Sequence, residues 1–203
     1  MVVFARAPVA GASKTRLIPA LGEKAAADLH ARMIEHTLET LGNVFDDYAL
    51  QLWCAPDTSH PLFARLADRY VMSLHTQRGD NLGARMYHAL DTALLEHDHA
   101  IVIGTDCPGL ASADIVNTVD ALKNVADVVI GPATDGGYWL LGVRAVSATL
   151  FRDIAWGSDR VYQQTLLRIE TLGWRSHALR MRTDIDRPED LSRVPAHLLE
   201  GLT

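Results

Sequence analysis

The sequence predicts an α/β protein built on an open, mostly parallel sheet, with residues 1–203 forming one domain. Short apolar runs alternate with longer segments in which apolar residues recur at helical spacing, and many of the runs end at glycine, proline or acidic residues. A chain of 203 residues is long enough for one domain of this kind. In such a sheet ligands bind outside the carboxyl ends of the strands, so functional residues are expected in the turns that follow them.

Strands and helices are predicted along the whole chain. Apolar runs predict strands at Met1–Ala5, Tyr48–Cys54, Val71–His75, Ile101–Ile103, Asp127–Gly131, Trp139–Val143 and Arg175–Leu179. Helical spacing predicts helices at Gly22–Leu41, Pro61–Arg69, from the N-cap Asp80 to Leu94, Ser112–Lys123 and Asp159–Leu172, with a further helical first turn at Pro188.

The composition excludes several classes of protein. A formal net charge of −6 and the lack of any Lys/Arg-rich run argue against nucleic acid as a partner. No apolar stretch reaches the roughly 20 residues that span a bilayer, and the first residues do not resemble a signal peptide. We therefore expect a soluble, cytoplasmic protein with no membrane partner.

The cysteines and histidines give no metal or disulfide signature. Cys54 and Cys107 are far apart and form no CxxC pair, although Cys107 is either a reactive thiol or, as its place before a proline favours, part of a packed turn. The nine histidines lack metal-ligand spacing, and His30, His36 and His88 are expected on helix surfaces. We assign none of them a role.

Asp106 is the first candidate functional residue. The apolar run around Ile103 stops at Gly104 and Thr105, and a Cys-Pro-Gly turn follows Asp106. A carboxylate at the end of a buried parallel strand faces the ligand crevice. The alternative is that Asp106 only caps the helix that begins near Ser112.

The loop after the first strand, Arg6 to Leu17, ends in two cations, Lys14 and Arg16. It lies where α/β proteins hold phosphates, yet it contains neither a Walker A sequence nor GxGxxG. Lysine is rare in this chain, which has three lysines among its 19 basic residues. If the loop is extended, an ammonium and a guanidinium two residues apart can both contact a polyphosphate. The alternative is a solvated basic loop.

Two glycine-containing turns and one acidic segment complete the candidates. Gly79 and Gly83 flank a predicted helix start, where a ligand can approach the backbone. The Gly136-Gly137 pair after Asp135 forms either an ordinary hairpin turn or a space for a second substrate. Near the C-terminus, Asp184 and Asp186 alternate, so both carboxylates point to the same side of an extended segment.

Six motifs occur along the chain, namely FARAPVAGASKTRL, GDNLGARM, IGTDCPGL, GPATDGGYWLLG, WGSDRVYQQT and DIDRPEDL. In this order they resemble the DUF2064 family, glycosyltransferase-A-like proteins that are often described as rSAM/selenodomain-associated transferases. The family is similar in outline to the 2-phospholactate, molybdenum-cofactor and CMP-Kdo nucleotidyltransferases. The resemblance implies a nucleotide-binding three-layer α/β/α sandwich of the GT-A-like, Rossmann-like nucleotide-diphospho-sugar transferase fold, with Mg²⁺ or Mn²⁺ as cofactor.

The same resemblance implies roles for individual residues. It places catalysis at Lys14, Arg16, Asp106 and Asp135, and metal binding at Asp106 and Asp186, with Asp184 as the rival for the second position. It places nucleotide binding at Ala7, Pro8, Gly11, Lys14, Arg16, Gly79, Asp80, Leu82, Gly83, Arg85, Thr105 and Asp106. It places the acceptor near Asp135, Gly136, Gly137, Tyr138, Trp156 and Ser158.

Three hypotheses about function follow. The first is a metal-dependent glycosyltransferase-like enzyme with a nucleotide-diphospho-sugar donor. The second is a nucleotidyltransferase that joins an NTP to a phosphorylated acceptor. It is favoured because Thr105-Asp106-Cys107 supplies one carboxylate where glycosyltransferases of this fold usually carry a DxD triplet. The third is a non-catalytic nucleotide-binding module. In each case the partners are small molecules.

Overall fold

A computed structural model describes residues 1–42 and 48–202 of the chain and contains one seven-stranded sheet. The strand order is β3-β2-β1-β4-β6-β5-β7. Strand β6 is antiparallel to β4 and β5, and the other neighbouring pairs are parallel, which confirms the predicted mostly parallel sheet. The strands are β1 Val2–Arg6, β2 Gln51–Ala55, β3 Ser73–Thr76, β4 Ala100–Gly104, β5 Val128–Pro132, β6 Tyr138–Val143 and β7 Ser176–Ala178.

Helices connect most of the strands, and each predicted α-helix is present with small shifts at its ends. The α-helices are α1 Ile18–Leu21, α2 Glu23–Gly42, α3 Pro61–Tyr70, α4 Leu82–Leu94, α5 Ser112–Asn124, α6 Val161–Thr171 and α7 Ala196–Leu199. Short 3₁₀ helices span Thr15–Leu17, Ala148–Phe151 and Pro188–Arg193. The helical turn predicted at Pro188 is thus a 3₁₀ helix, and Asp190 caps it by accepting the Arg187 backbone N–H at 2.8 Å.

The N-cap of α4 is Asn81, so the prediction of Asp80 was wrong by one residue. The Asn81 side-chain oxygen accepts the Ala84 backbone N–H at 2.9 Å. Both residue types are good N-caps, and the sequence pattern alone does not choose between neighbours.

The two faces of the sheet are covered by different helices. On one face, alternate residues such as Val3 and Ile103 pack against α2, α3 and α5. On the other face, Val2 and Val102 pack against α4, α6 and the 3₁₀ helix at Ala148–Phe151. Successive strand residues point to opposite faces, and burial of each large apolar side chain contributes about 1.5–3 kcal/mol. The result is the expected three-layer α/β/α sandwich.

A third buried cluster joins the first loop to the C-terminal segment. The cluster contains Leu17, apolar residues of α2, Ile185 and apolar residues of the last two helices. Leu17 is fully buried and Ile185 is nearly so. This cluster fixes the segment that carries Asp184 and Asp186 next to the loop that carries Lys14. Among the described residues, no helix has both the length and the apolar character to cross a membrane.

Candidate active site

A cleft of about 650 Å³ opens at the carboxyl ends of β1 and β4. Arg6 at the end of β1 and Asp106 just after β4 line it, and the β5–β6 turn supplies Asp135. Because parallel strands end at the same edge of a sheet, this is where an open α/β fold binds its ligands. The cleft is therefore the candidate active site.

Lys14 and Asp106 form the centre of the cleft. The Lys14 Nζ lies 2.8 Å from Asp106 Oδ1 and donates a hydrogen bond of 2.6 Å to the Ile185 carbonyl. The Ile185 N–H in turn donates to the Asp106 carbonyl at 2.7 Å. The Lys14 side chain is 4% exposed, whereas that of Asp106 is 53% exposed. Lys14 thus holds three distant segments together while Asp106 faces the cleft.

The alternative that Asp106 caps a helix is wrong. The first residue before α5 is Ala111, and its N–H donates to the Asp114 side chain at 2.9 Å. Partial desolvation in the cleft raises the pKa of Asp106, but the positive charge of Lys14 and the Lys14 hydrogen bond outweigh this effect, so the pKa lies below its usual value. Asp106 is therefore ionised at neutral pH.

Two further carboxylates, Asp184 and Asp186, reach the cleft from the C-terminal segment, and they differ in burial and in their partners. Asp186 pairs with Arg16 on the rim, where the Arg16 side chain is 63% exposed. The Asp184 Oδ1 is buried and has no hydrogen-bond partner among the described residues. Burial, followed by the negative charges of Asp135 and Asp106, raises the pKa of Asp184 to about 6. Asp184, predicted as the rival to Asp186, therefore has an oxygen without a partner that can bind a cation.

The cleft continues into an acidic cavity of about 350 Å³ on the side of Asp135. Its walls include Asp159, Asp184, Asp186 and Asp190, together with Arg16 and other residues of the turns. Asp135 shapes its own turn by accepting the Gly137 N–H at 2.8 Å.

Aromatic side chains form one wall of the cleft, which we call the aromatic wall. The rings of Tyr138 and Trp156 meet edge to face at 6.5 Å, and Trp156 stacks on Phe151 at the same distance. Gly83 packs directly beneath Trp156, because a Cβ at this position would lie 2.5 Å from the indole ring. The glycine that the sequence suggests for ligand approach therefore makes room for a tryptophan.

Most of the predicted site residues meet in the cleft. Those that line it are Lys14, Arg16, Leu82, Arg85, Thr105, Asp106, Asp135, Gly137, Tyr138, Trp156, Ser158, Asp184 and Asp186. This proximity agrees with the predicted site, while the role of each residue stays a prediction.

The other predicted residues are not among the described residues that line the cleft, and their roles stay predictions. They are Ala7, Pro8, Gly11, Gly79, Asp80, Gly83 and Gly136. Ala7 is buried, and its carbonyl accepts the Ser13 hydroxyl at 2.8 Å. Gly136 has a φ of +89°, and a Cβ there would lie 2.1 Å from the Asp159 carbonyl oxygen, so glycine is needed for the turn itself.

Several lining residues were missed by the sequence analysis. His30 is 5% exposed and faces the cleft from α2, so its expected place on a helix surface was wrong. It is one helical turn from Met33 and Ile34, and this spacing would have placed it on the buried face. Burial lowers the pKa of His30 to about 4, with Asp106 opposing the shift, so its ring is neutral at pH 7.

Arg6 and Gln77 were also missed, and only the first has a sequence signal. Arg6 ends β1 and so lies at the predicted ligand edge. Gln77 follows β3, and its side-chain nitrogen donates to the carbonyls of Trp53, at 2.8 Å, and Ala5, at 3.4 Å. Cys107 also lines the cleft, but it is buried, and burial raises its pKa to about 11, which supports its packed-turn interpretation.

Comparison with known proteins gives the same fold. A protein from Desulfovibrio desulfuricans G20, provisionally named a nucleotide-diphospho-sugar transferase, is 28% identical with a TM-score of 0.83, covering 92% of this chain and 81% of its own. CMP:2-keto-3-deoxy-manno-octonic acid synthetase, complexed with CTP, is 14% identical with a TM-score of 0.61, covering 97% and 96% of the two chains. The 4-diphosphocytidyl-2C-methyl-D-erythritol synthase from Anaerococcus prevotii DSM 20548 is 11% identical with a TM-score of 0.64, covering 97% and 95%.

No curated protein matches the sequence. A family model does match it, over residues 37–158, which is more than half of the chain. This is the model of DUF2064, whose members are described as uncharacterized proteins conserved in bacteria. The chain belongs to the DUF2064 family.

Proposed function

We propose that the protein is a divalent-metal-dependent transferase that uses a nucleotide-diphospho-sugar as donor. The observation that carries the proposal is the pair of Asp106, ionised and facing the cleft, and Asp184, whose buried Oδ1 lacks a partner. The 28% identical protein from Desulfovibrio desulfuricans, named for this activity, supports the choice of donor.

The residues present fit a hard divalent cation such as Mg²⁺ or Mn²⁺. An orphaned carboxylate oxygen beside a second carboxylate is a donor set that these ions prefer. The described residues contain no group of three or more acidic, histidine or cysteine side chains that could hold a metal. Two carboxylates are nevertheless enough, because Mg²⁺ commonly takes its remaining ligands from water and substrate phosphates. Asp186 stays the alternative to Asp184.

When bound, such a cation would neutralise the charge that develops on a departing nucleotide phosphate. Lys14 keeps Asp106 ionised and oriented. The guanidinium groups of Arg6, Arg16 and Arg85 line the same cleft and can attract phosphates, although Arg16 must release Asp186 to do so. The aromatic wall and the Asp135 turn remain for the acceptor.

Nucleotidyl transfer is the second candidate. The single carboxylate in Thr105-Asp106-Cys107 favours it, and so does the fold shared with the synthetase that is complexed with CTP. The two reactions differ in the bond that breaks. Sugar transfer releases a nucleoside diphosphate, whereas nucleotidyl transfer from an NTP releases pyrophosphate.

Thermal-shift screening tests both candidates. A ligand at 100 times its dissociation constant stabilises the folded protein by about 2.7 kcal/mol, which is easily measured. We expect a nucleotide-diphospho-sugar with Mn²⁺ to raise the melting temperature, and a chelator to remove most of the shift. Stabilisation by an NTP with Mg²⁺ and not by nucleotide-sugars would select the second candidate.

Asp106→Asn tests the site itself, with Asp91→Asn as control. Asp91 is an exposed carboxylate on α4, outside the cleft. Loss of one preorganised electrostatic group typically costs about 3 kcal/mol of barrier, so Asp106→Asn should reduce nucleotide release by roughly 100-fold or more without unfolding. Asp91→Asn should keep full activity. Metal-dependent binding and turnover that survive in Asp106→Asn would contradict the proposed site.

A further inference from the structure

A buried ion pair between Arg182 and Asp114 takes no part in the proposed reaction. Arg182 Nη2 pairs with Asp114 Oδ2, and the two side chains are 11% and 9% exposed. The same Asp114 oxygen accepts the Ala111 N–H at 2.9 Å at the start of α5. An ion pair this well buried costs desolvation and is weak evidence for stability alone, so its other contacts are informative.

Arg182 attaches the C-terminal segment to the wall of the cleft. Its N–H donates to the Pro132 carbonyl at 3.0 Å, and its carbonyl accepts the Thr134 N–H at 2.9 Å. Its guanidinium lies 5.5 Å from the ring of Trp139, a residue that lines the cleft. Backbone, charge and ring contacts thus all hold this one residue between β5, β6 and α5.

Asp184 lies between two such attachments. On one side, Arg182 is fixed two residues earlier in the chain. On the other, the Ile185 N–H donates to the Asp106 carbonyl just after β4, and the Ile185 carbonyl accepts a hydrogen bond from Lys14. A carboxylate between two fixed points has few alternative positions, which explains how its Oδ1 is kept buried without a partner. Preorganisation of this kind is what a binding site needs from the residues behind it.

We propose that Arg182 is a positioning residue, which through its ion pair with Asp114 holds the Asp184 carboxylate in the cleft for a divalent cation. This inference rests on the proposed function, because it takes Asp184 as a metal ligand. It goes beyond it by assigning a role to two residues that do not themselves touch the ligand.

The variants must separate position from stability. Arg182→Met alone leaves Asp114 buried and unpaired, which is strongly destabilising. The double variant Arg182→Met/Asp114→Asn removes both charges, and the asparagine oxygen can still accept the Ala111 N–H. Arg182→Lys keeps the positive charge but loses the planar guanidinium that pairs with Asp114 and lies over the Trp139 ring. The matched control is Arg65→Met/Glu35→Gln, which removes an ion pair of 2.6 Å whose arginine is 68% exposed.

The measurement is the affinity of the intact protein for Mn²⁺ alone, read from the electron paramagnetic resonance signal of free Mn²⁺. We expect at least tenfold weaker binding in the folded double variant, a smaller loss in Arg182→Lys, and no change in the control. A melting curve for each variant confirms folding, and a purely structural role would lower the melting temperature while leaving Mn²⁺ affinity unchanged.

Asp184→Asn distinguishes the two ways of failing. If Asp184→Asn weakens Mn²⁺ binding but the folded double variant binds as the wild type does, the positioning role is wrong and the proposed metal site stands. If Asp184→Asn itself leaves the affinity unchanged, the metal role of Asp184 and the inference built on it are both overturned.

Discussion

Replacement of Lys14 by methionine should destabilise the protein far more than the same change at Lys24. Both ammonium groups lie 2.8 Å from an aspartate, but the Lys14 side chain is 4% exposed and that of Lys24 is 90% exposed. Lys14 also satisfies the Ile185 carbonyl. A hydrogen bond from a charged donor contributes about 1.5–3 kcal/mol, and a partly exposed ion pair adds about 0.5–1 kcal/mol.

The expected loss for Lys14→Met is therefore about 2–4 kcal/mol. In a domain of this size each kcal/mol shifts the melting temperature by about 2–4 °C, so a fall of roughly 4–16 °C is expected. The helical pair of Lys24 with Asp28 is worth about 0.3–0.5 kcal/mol, and Lys24→Met should lower the melting temperature by less than about 2 °C.

The assay is thermal unfolding at pH 7 in the presence of a chelator, followed by circular dichroism. A double-mutant cycle with Asp106→Asn separates the ion pair from the Ile185 hydrogen bond, because the second contribution remains when the carboxylate is already removed. If Lys14→Met and Lys24→Met lower the melting temperature equally, the buried Lys14 ammonium does not stabilise the contact between the first loop and the C-terminal segment, and the reasoning is refuted.

Three shorter predictions follow from other parts of the structure. The pKa of Asp184 is raised to about 6 in the folded protein, above its ordinary value of about 4, so the folded state binds this proton more tightly and wild-type stability falls as the pH rises from about 4 to 6. Asp184→Asn should therefore melt above the wild type at pH 8 in chelator, and a gap that is as large at pH 3.5 would contradict this sign. Gly83→Ala should destabilise by about 1–3 kcal/mol and change the tryptophan fluorescence, because its Cβ would meet Trp156, although the same change in an open helix stabilises. Cys54 and Cys107 are buried, and their pKa values are raised to about 12 and 11. A thiol reagent should therefore modify neither cysteine in the native protein and should modify both after denaturation.

The fold could be predicted from the sequence because its signals are local and repeated. Strand β4 is a run of apolar residues that ends at glycine, and α2 carries an apolar stripe at helical spacing. The boundaries were less certain where the pattern is weak. Tyr48 and the two residues after it are apolar or small, and they were predicted as strand, but β2 begins only at Gln51, where pairing with β1 starts. The residue at which a strand begins depends on its pairing register with the neighbouring strand, and this register depends on contacts that are distant in the sequence.

The site was predictable in outline because parallel strands bring their carboxyl ends together. Asp106 and Arg6 reach the cleft for that reason, and Asp135 does so from a turn between two strands of the same sheet. His30 was missed because a polar residue on an amphipathic helix is expected to face water. Arg182 was missed because nothing in the local sequence shows that its partner, Asp114, lies 68 residues earlier.

The sequence also could not show which charges bind each other and which are left for a ligand. Lys14 and Arg16 were singled out as phosphate-binding cations, and Asp106 and Asp186 as metal-binding acids, and the structure pairs each cation with one of the acids. The same electrostatic attraction that would bind a phosphate to the cations or a metal ion to the acids also pairs these cations and acids with each other. Burial separates the two outcomes: Lys14 is enclosed and satisfied by a backbone carbonyl, so its pairing is structural, whereas Arg16 is on the rim and can exchange its partner. Cations after the first strand therefore predict ion pairs between this loop and a distant segment of the chain. Only the burial of each cationic side chain shows which one is free to bind a substrate.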